Sequence, residues 1–191
     1  MRTTAWLLLA IVGLPVCCTP ASAADFRRID IGPERSLVLI EGMILPGDTD
    51  RLTRFLLTSL DNHHLAAFAL SSPGGVVGEG ARLGELIRRI DAAVVVGAHA
   101  DCESACFLLF AAGARRAAMP SARIGIHSAE NLAGDETTGA MAATLEMARL
   151  SIRWGVPDEI VSRMISTGPA SIAFLTPAEL RRMNVTIGNA S

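Results

Sequence analysis

Between Ala92 and Gly113 the chain sets two apolar runs almost back to back. Ala92-Ala93-Val94-Val95-Val96 comes first, then a polar turn, then Ala105-Cys106-Phe107-Leu108-Leu109-Phe110-Ala111-Ala112. Neither run alternates polar with apolar residues, so neither offers a face suited to water. A continuous β-branched run of this length reads as a strand covered on both faces, as in parallel sheets flanked by crossover helices. The second run, read as a helix, is apolar all round and belongs in a domain interior. Adjacent segments of this kind require layers on both sides of a sheet.

The remaining pattern supplies those layers. Ser36 to Ile44 reads as a central strand, Asp50 to Leu60 as a helix with Leu52, Phe55, Leu56 and Leu60 on one face, and Leu65 to Leu70 as a second strand. That strand stops at Ser71-Ser72-Pro73-Gly74-Gly75, and a helix with glycines at 78, 80 and 84 follows from Val77 to Ile90. Glycine inside a helix costs about 1 kcal/mol against alanine, which points to close packing of the helix backbone. Beyond the apolar helix, Gly113 is expected as a left-handed cap. Arg115 to Met119 and Arg123 to His127 read as short strands, and 139–154 as a helix burying Met141, Leu145, Met147 and Leu150. A further helix spans 157–165, and Thr176-Pro177-Ala178-Glu179 is a capping box that starts a last one. Strands alternating with helices give an α/β class with a largely parallel sheet and no internal repeat or linker.

Length and composition narrow the chemistry. The chain has 191 residues, half of them hydrophobic, and a formal net charge of −2, enough for one domain and unlike a nucleic-acid binder. All 17 basic residues are arginine, so mechanisms that need a lysine base or Schiff base are excluded. Arg2, the apolar run Ala5 to Val16 and the small-residue site Ala21-Ser22-Ala23 read as a secretory leader over 1–23, leaving a single domain over 24–191. The alternative is an uncleaved membrane anchor. Val16 before Cys17 argues against a lipoprotein signal. A leader implies a periplasmic or secreted protein.

Three places carry candidate chemistry. Ser104 stands where the polar turn becomes the apolar helix; it is either a helix N-cap or a nucleophile set beside unsatisfied N–H groups and the positive end of a helix dipole. Ser72-Pro73-Gly74-Gly75 can present a backbone N–H at a strand end, and His127 ends a strand with an imidazole suited to general base catalysis. Cys102 and Cys106, read as four apart on a helix, are either a disulfide stapling the Ser104 turn or two buried thiols. With His99 they make a poor zinc signature, and no metal is expected. His63 and His64 read as solvated turn residues, and Arg115 and Arg116 as a solvated edge in preference to the lining of a substrate groove.

In sequence order, Ser-Ser-Pro-Gly-Gly, Glu-Ser-Ala-Cys-Phe-Leu-Leu-Phe-Ala-Ala-Gly-Ala, Met-Pro-Ser-Ala-Arg-Ile-Gly-Ile-His and Phe-Leu-Thr-Pro-Ala-Glu-Leu resemble the Clp protease proteolytic subunit and the wider Clp/crotonase superfamily. The resemblance covers Ser36 to Asn184. It implies a spiral of βαβ units, Ser104 as nucleophile, His127 as base, an oxyanion hole from the backbone N–H of Gly74 and Ala105, and an extended peptide paired near Gly75. It implies no cofactor. Peptide or unfolded protein is the implied substrate, self-association is compatible, and no ATPase partner is expected outside the cytoplasm. One family residue is absent: an aspartate is expected before Phe174-Leu175-Thr176, yet no acidic residue stands between Glu159 and Glu179. The resemblance gives no reason for Glu130 or Asp135 to replace it. The centre is then a Ser-His dyad oriented by a hydroxyl or a backbone carbonyl, or a peptide-binding pseudoenzyme. The 127–157 segment is also shorter than the family's ring-stacking helix. A crotonase-like acyl-CoA enzyme is disfavoured by chain length and compartment.

Overall fold

The computed structural model describes residues 23–131 and 137–188; the leader expected over 1–23 lies, but for Ala23, outside them, as does Asp135. In chain order the elements are β1 (Asp25–Gly32), β2 (Arg35–Glu41), α1 (Asp48–Ser59), β3 (His64–Ser71), α2 (Val77–Arg89), β4 (Ala93–Val96), β5 (Asp101–Glu103) and α3 (Ala105–Ala112). There follow β6 (Arg115–Ala118), β7 (Arg123–Ile126), α4 (Thr138–Arg153), α5 (Asp158–Ser166), β8 (Ala173–Phe174), α6 (Pro177–Arg182) and β9 (Val185–Ile187). The main sheet has the order β1-β2-β3-β4-β6-β9, parallel throughout except for β1, which runs antiparallel to β2. A second sheet, β5-β7-β8, is set at the carboxyl end of β3, where Ser72 bridges Cys102. The α/β class and the largely parallel sheet are as the sequence pattern requires.

Burial follows the pattern of each segment. Ser36, Val38 and Ile40 of β2 alternate inward, and Val94 and Val96 of β4 do the same. All eight residues of α3 are without exposed surface. Phe107, Leu108, Leu109 and Phe110 each gain roughly 1.5–3 kcal/mol from that burial, which makes α3 the centre of the core. α2 lies directly on it: a Cβ at Gly80 would stand 2.9 Å from the Ala105 carbonyl oxygen, and one at Gly84 would stand 2.7 Å from the Trp154 ring. Two of the three helical glycines are therefore contact points; Gly78 has open space around it.

Several expectations are corrected. β1 is an added edge strand: only Phe26 of its eight residues is buried, and Arg27, Arg28 and Asp30 form surface ion pairs. Gly113 is extended (φ −56°, ψ 134°) rather than left-handed, and its lack of a side chain admits Val94, whose Cγ2 would be 2.4 Å from a Cβ. On α4, Met147 and Leu150 are buried, whereas Met141 (66% exposed) and Leu145 (60%) face outward. The buried stripe of α4 is Ala140, Thr144, Met147, Ala148 and Ser151, small residues that let it approach its neighbours closely. His63 is not a solvated turn residue, since its Nδ1 lies 2.8 Å from Ser36 Oγ. Arg116 is largely buried and donates to the Trp154 carbonyl at 3.0 Å, while Arg115 stays exposed.

Candidate active site

The corner between β5 and α3 is built from three chain segments. Ser72 N–H donates to the Asp101 carbonyl (2.7 Å) and Glu103 N–H to the Ser72 carbonyl (3.0 Å), which locks β5 onto the end of β3. Ser104 N–H then donates to the Gly125 carbonyl of β7 at 3.1 Å. Held from both sides, Ser104 adopts φ 54°, ψ −124°, a region that costs a non-glycine residue about 1–3 kcal/mol. A serine acting as an N-cap has an extended backbone and accepts a bond from the first turn. Ser104 does neither: its side chain makes no capping bond. The N-cap reading of Ser104 therefore fails, and the hydroxyl is available at a strained strand-to-helix turn.

Disulfide chemistry ties the same corner. Cys102 on β5 and Cys106 on α3 are bonded, with Cα atoms 5.2 Å apart, so the bridge spans the turn that carries Ser104. The sequence reading put both cysteines on one helix; the structure has one on the strand. With both sulfurs in the bridge they cannot serve as zinc ligands, and His99 sits apart in an exposed turn.

His127 follows β7 directly. β5 and β7 are parallel with Glu103 opposite Gly125, so Ser104 and His127 leave the carboxyl ends of neighbouring strands, where sites collect in parallel sheets. Both line one cleft of about 730 Å³, together with Met43, Leu45, Gly74 and Gly75. His127 is only 8% exposed, and its Nδ1 lies 2.6 Å from the Ser128 carbonyl oxygen. A carbonyl only accepts, so Nδ1 carries the proton and Nε2 of the neutral ring is left as the base. Ser128 is itself held, its N–H donating to the Thr167 carbonyl at 2.8 Å. Ala129 N–H donates to Thr144 Oγ1 at 2.9 Å. Among the described residues no carboxylate is bonded to His127. Glu179 is committed elsewhere: it accepts from Thr176 N–H and Oγ1, both at 2.7 Å, and pairs with Arg163. Glu130 lines the cleft with an exposed side chain.

Gly74 and Gly75 close the other wall. A Cβ at Gly74 (φ 97°) would stand 2.6 Å from Ser104 Cβ and 2.9 Å from Ala105 N, so this backbone rests on the Ser104 turn. Ala105 N–H is the first of α3 and has no acceptor within the helix. Gly74 N–H, in contrast, donates to Ser72 Oγ at 3.1 Å. Ile44 N–H donates to the Gly74 carbonyl (2.8 Å) and Val76 N–H to the Ile44 carbonyl (2.9 Å), a parallel bridge that leaves the N–H and C=O of Gly75 on the side away from Ile44. The structure thus brings Ser104, His127, Gly74 and Gly75 to one cleft, with the nitrogen of the buried Ala105 packed behind Gly74. Sequence reading named Ser72 within its motif but not the role of its hydroxyl, and it missed Ser128, Thr144 and Thr167, whose contributions are backbone groups or single hydroxyls with no signature of their own.

Comparison with known proteins bears on the family and the fold. The family model described as Clp protease matches residues 37–154, more than half of the chain. Among solved structures, ClpP1 from Listeria monocytogenes is 22% identical, covering 81% of this chain and 92% of its own, with a TM-score of 0.59. A mutant of the 1510-N membrane-bound stomatin-specific protease is 19% identical (78% of this chain, 76% of its own, TM-score 0.57). The ClpP protease catalytic domain from Plasmodium falciparum is 16% identical (78% and 82%, TM-score 0.57). At these identities the structures establish the fold alone. A search of curated protein sequences finds no match. On the strength of the family match and the shared fold, the chain belongs to the Clp protease family.

Proposed function

We propose that this chain is a serine peptidase that works outside the cytoplasm through a Ser-His dyad. The observation that carries the reading is Ser104: strained, uncapped, and in the same cleft as an imidazole whose proton is fixed on Nδ1. His127 Nε2 takes the hydroxyl proton as Ser104 Oγ attacks the scissile carbonyl. The oxyanion is received by Ala105 N–H and by an amide of Gly74-Gly75, each donor worth ~10²–10³ in turnover. The protonated imidazole then protonates the leaving amine, and water admitted beside the same base hydrolyses the acyl-enzyme. An extended peptide pairs with the free edge of Gly75. In a Ser-His-Asp triad, replacing the acid by its amide costs ~10⁴ by placing the ring in the wrong tautomer. Here the Ser128 carbonyl keeps the tautomer, and what is lost is the charge support for the imidazolium. Without an ATP-driven partner, substrates are short or unfolded chains.

A second reading, a peptide-binding protein that does not cut, is favoured by two observations: Gly74 N–H is taken by Ser72 Oγ, and among the described residues His127 Nδ1 is bonded to a backbone carbonyl rather than to a carboxylate. A fluorophosphonate probe separates the two. A hydrolase is labelled in a manner lost in Ser104→Ala and reduced in His127→Ala. Unlabelled but folded protein supports the binding reading.

A further inference from the structure

Asp48 has no exposed surface, and its carboxylate is held by three donors. Oδ1 accepts from Arg51 at 2.6 Å; Oδ2 accepts from Leu45 N–H at 2.8 Å and from Ala24 N–H at 3.3 Å. Ala24 is also fully buried. It is the residue that cleavage after Ala21-Ser22-Ala23 turns into the first of the chain. An export-linked signal peptidase would break the Ala23–Ala24 bond with one water. Hydroxide goes to the Ala23 carbonyl carbon, and the Ala24 nitrogen leaves as an amine that is protonated at neutral pH.

We propose that the mature amino terminus is an internal ligand: the Ala24 α-ammonium pairs with Asp48 and, through Leu45, fixes the wall of the cleft that faces Ser104. The proposal rests on cleavage after Ala23 and is independent of whether Ser104 reacts. Charge favours it. Beside Asp48, the buried Glu79 accepts from Thr49 N–H at 2.7 Å, so two carboxylates lie together under this edge. Each has one arginine, Arg51 and Arg82, with side chains 41% and 65% exposed, whereas Asp48 Oδ2 accepts from the backbone N–H groups of Leu45 and Ala24, so an ammonium at Ala24 would give that buried oxygen a charged donor. An ammonium donates to a carboxylate more strongly and at shorter range than the amide it replaces. The connection to the cleft is short. Leu45 lies next to Ile44, whose N–H and C=O are bonded to Gly74 and Val76, and Met43 and Leu45 line the cleft themselves.

Because the chain contains no lysine, the α-amine is its one primary amine, and an acetylating N-hydroxysuccinimide ester reports on it alone. The exported protein is digested and its first peptide weighed. Acetylation of that peptide is then followed in native protein and in denaturant. The expected result is a start at Ala24 and native acetylation at least tenfold slower than in the unfolded chain, with Asp48→Asn restoring a rate within twofold of it. A mature chain carrying one extra glycine before Ala24 keeps Asp48 intact, and its amine should react at the unfolded rate. That variant decides the question should Asp48→Asn fail to fold. A different first residue, or a native Ala24 amine acetylated as fast as the unfolded one, overturns the proposal.

Discussion

Gly74→Ala is the perturbation that most sharply probes how the site is built. The new Cβ would sit 2.6 Å from Ser104 Cβ, 2.7 Å from the Glu103 carbonyl oxygen and 2.9 Å from Ala105 N. All three neighbours belong to the turn between β5 and α3, and two are backbone atoms that cannot swing aside. Ordinary contact needs about 3.5–4.0 Å, so Gly74 or the turn must move by about 1 Å. The φ of 97° adds the left-handed penalty of roughly 1–2 kcal/mol, and overpacking typically adds ~1–3 kcal/mol. A total of about 2–5 kcal/mol lies below the ~5–15 kcal/mol stability of an ordinary domain, so the variant should fold with a lowered melting temperature. A displacement of ~1 Å between reacting groups costs ~10² in rate. Fluorophosphonate inactivation should therefore slow by about two orders of magnitude in protein shown to be folded by circular dichroism. Gly78→Ala, where a Cβ meets nothing within 4 Å, should leave the melt unchanged or raise it slightly. Folded Gly74→Ala inactivated at the wild-type rate would refute the proposed packing of Gly74 against the nucleophile.

Three further outcomes follow from named contacts. Replacing Cys106 with serine opens a loop whose ends are four residues apart; loop entropy puts the loss at roughly 2 kcal/mol, read as a lower denaturant midpoint that reducing agent reproduces in the wild type but not in the variant. Thr144→Val leaves the buried Ala129 N–H without its acceptor, which should cost ~1–3 kcal/mol in a urea melt and slow labelling of Ser104 by loosening the His127 segment. Burial pushes the Glu179 carboxyl up, but hydrogen bonds from Thr176 and Arg163 outweigh it and hold the group below the usual carboxylate range. A depressed folded-state pKa stabilises above the unfolded value near ~4.3 and is lost as pH falls through the folded one, so acid unfolding should begin below about pH 4.5. Glu179→Gln should be less stable at pH 7 and should show a flatter decline in acid.

How much of this was legible in the sequence depended on where each signal resides. The apolar runs at 92–96 and 105–112 carry their burial in side-chain chemistry, and the strand and helix formed where that chemistry requires. β1 escaped notice because its charged residues alternate on an edge with one solvated face, and β5 because three residues, two of them acidic, make no period. α4 misled for a different reason. Hydrophobicity points to Met141 and Leu145, yet the packed face is the one whose small Ala, Thr and Ser side chains allow close approach. At the site, Ser104, His127 and the Gly74-Gly75 turn were readable because their side chains, or the want of one, are the signal. The carbonyl that His127 Nδ1 meets, that of Ser128, was not readable, because it is a group that every residue possesses and no sequence pattern distinguishes.

The central claim is that Ser104 is a nucleophile activated by His127 without a carboxylate. Its most direct measurement is mass-spectrometric mapping of a fluorophosphonate adduct on folded, disulfide-bonded protein. The account predicts a single adduct on the peptide that contains Ser104, formed at a rate that falls at least ~10²-fold in His127→Ala. An adduct on any other residue, or folded wild-type protein that stays unmodified at long exposure, would contradict it.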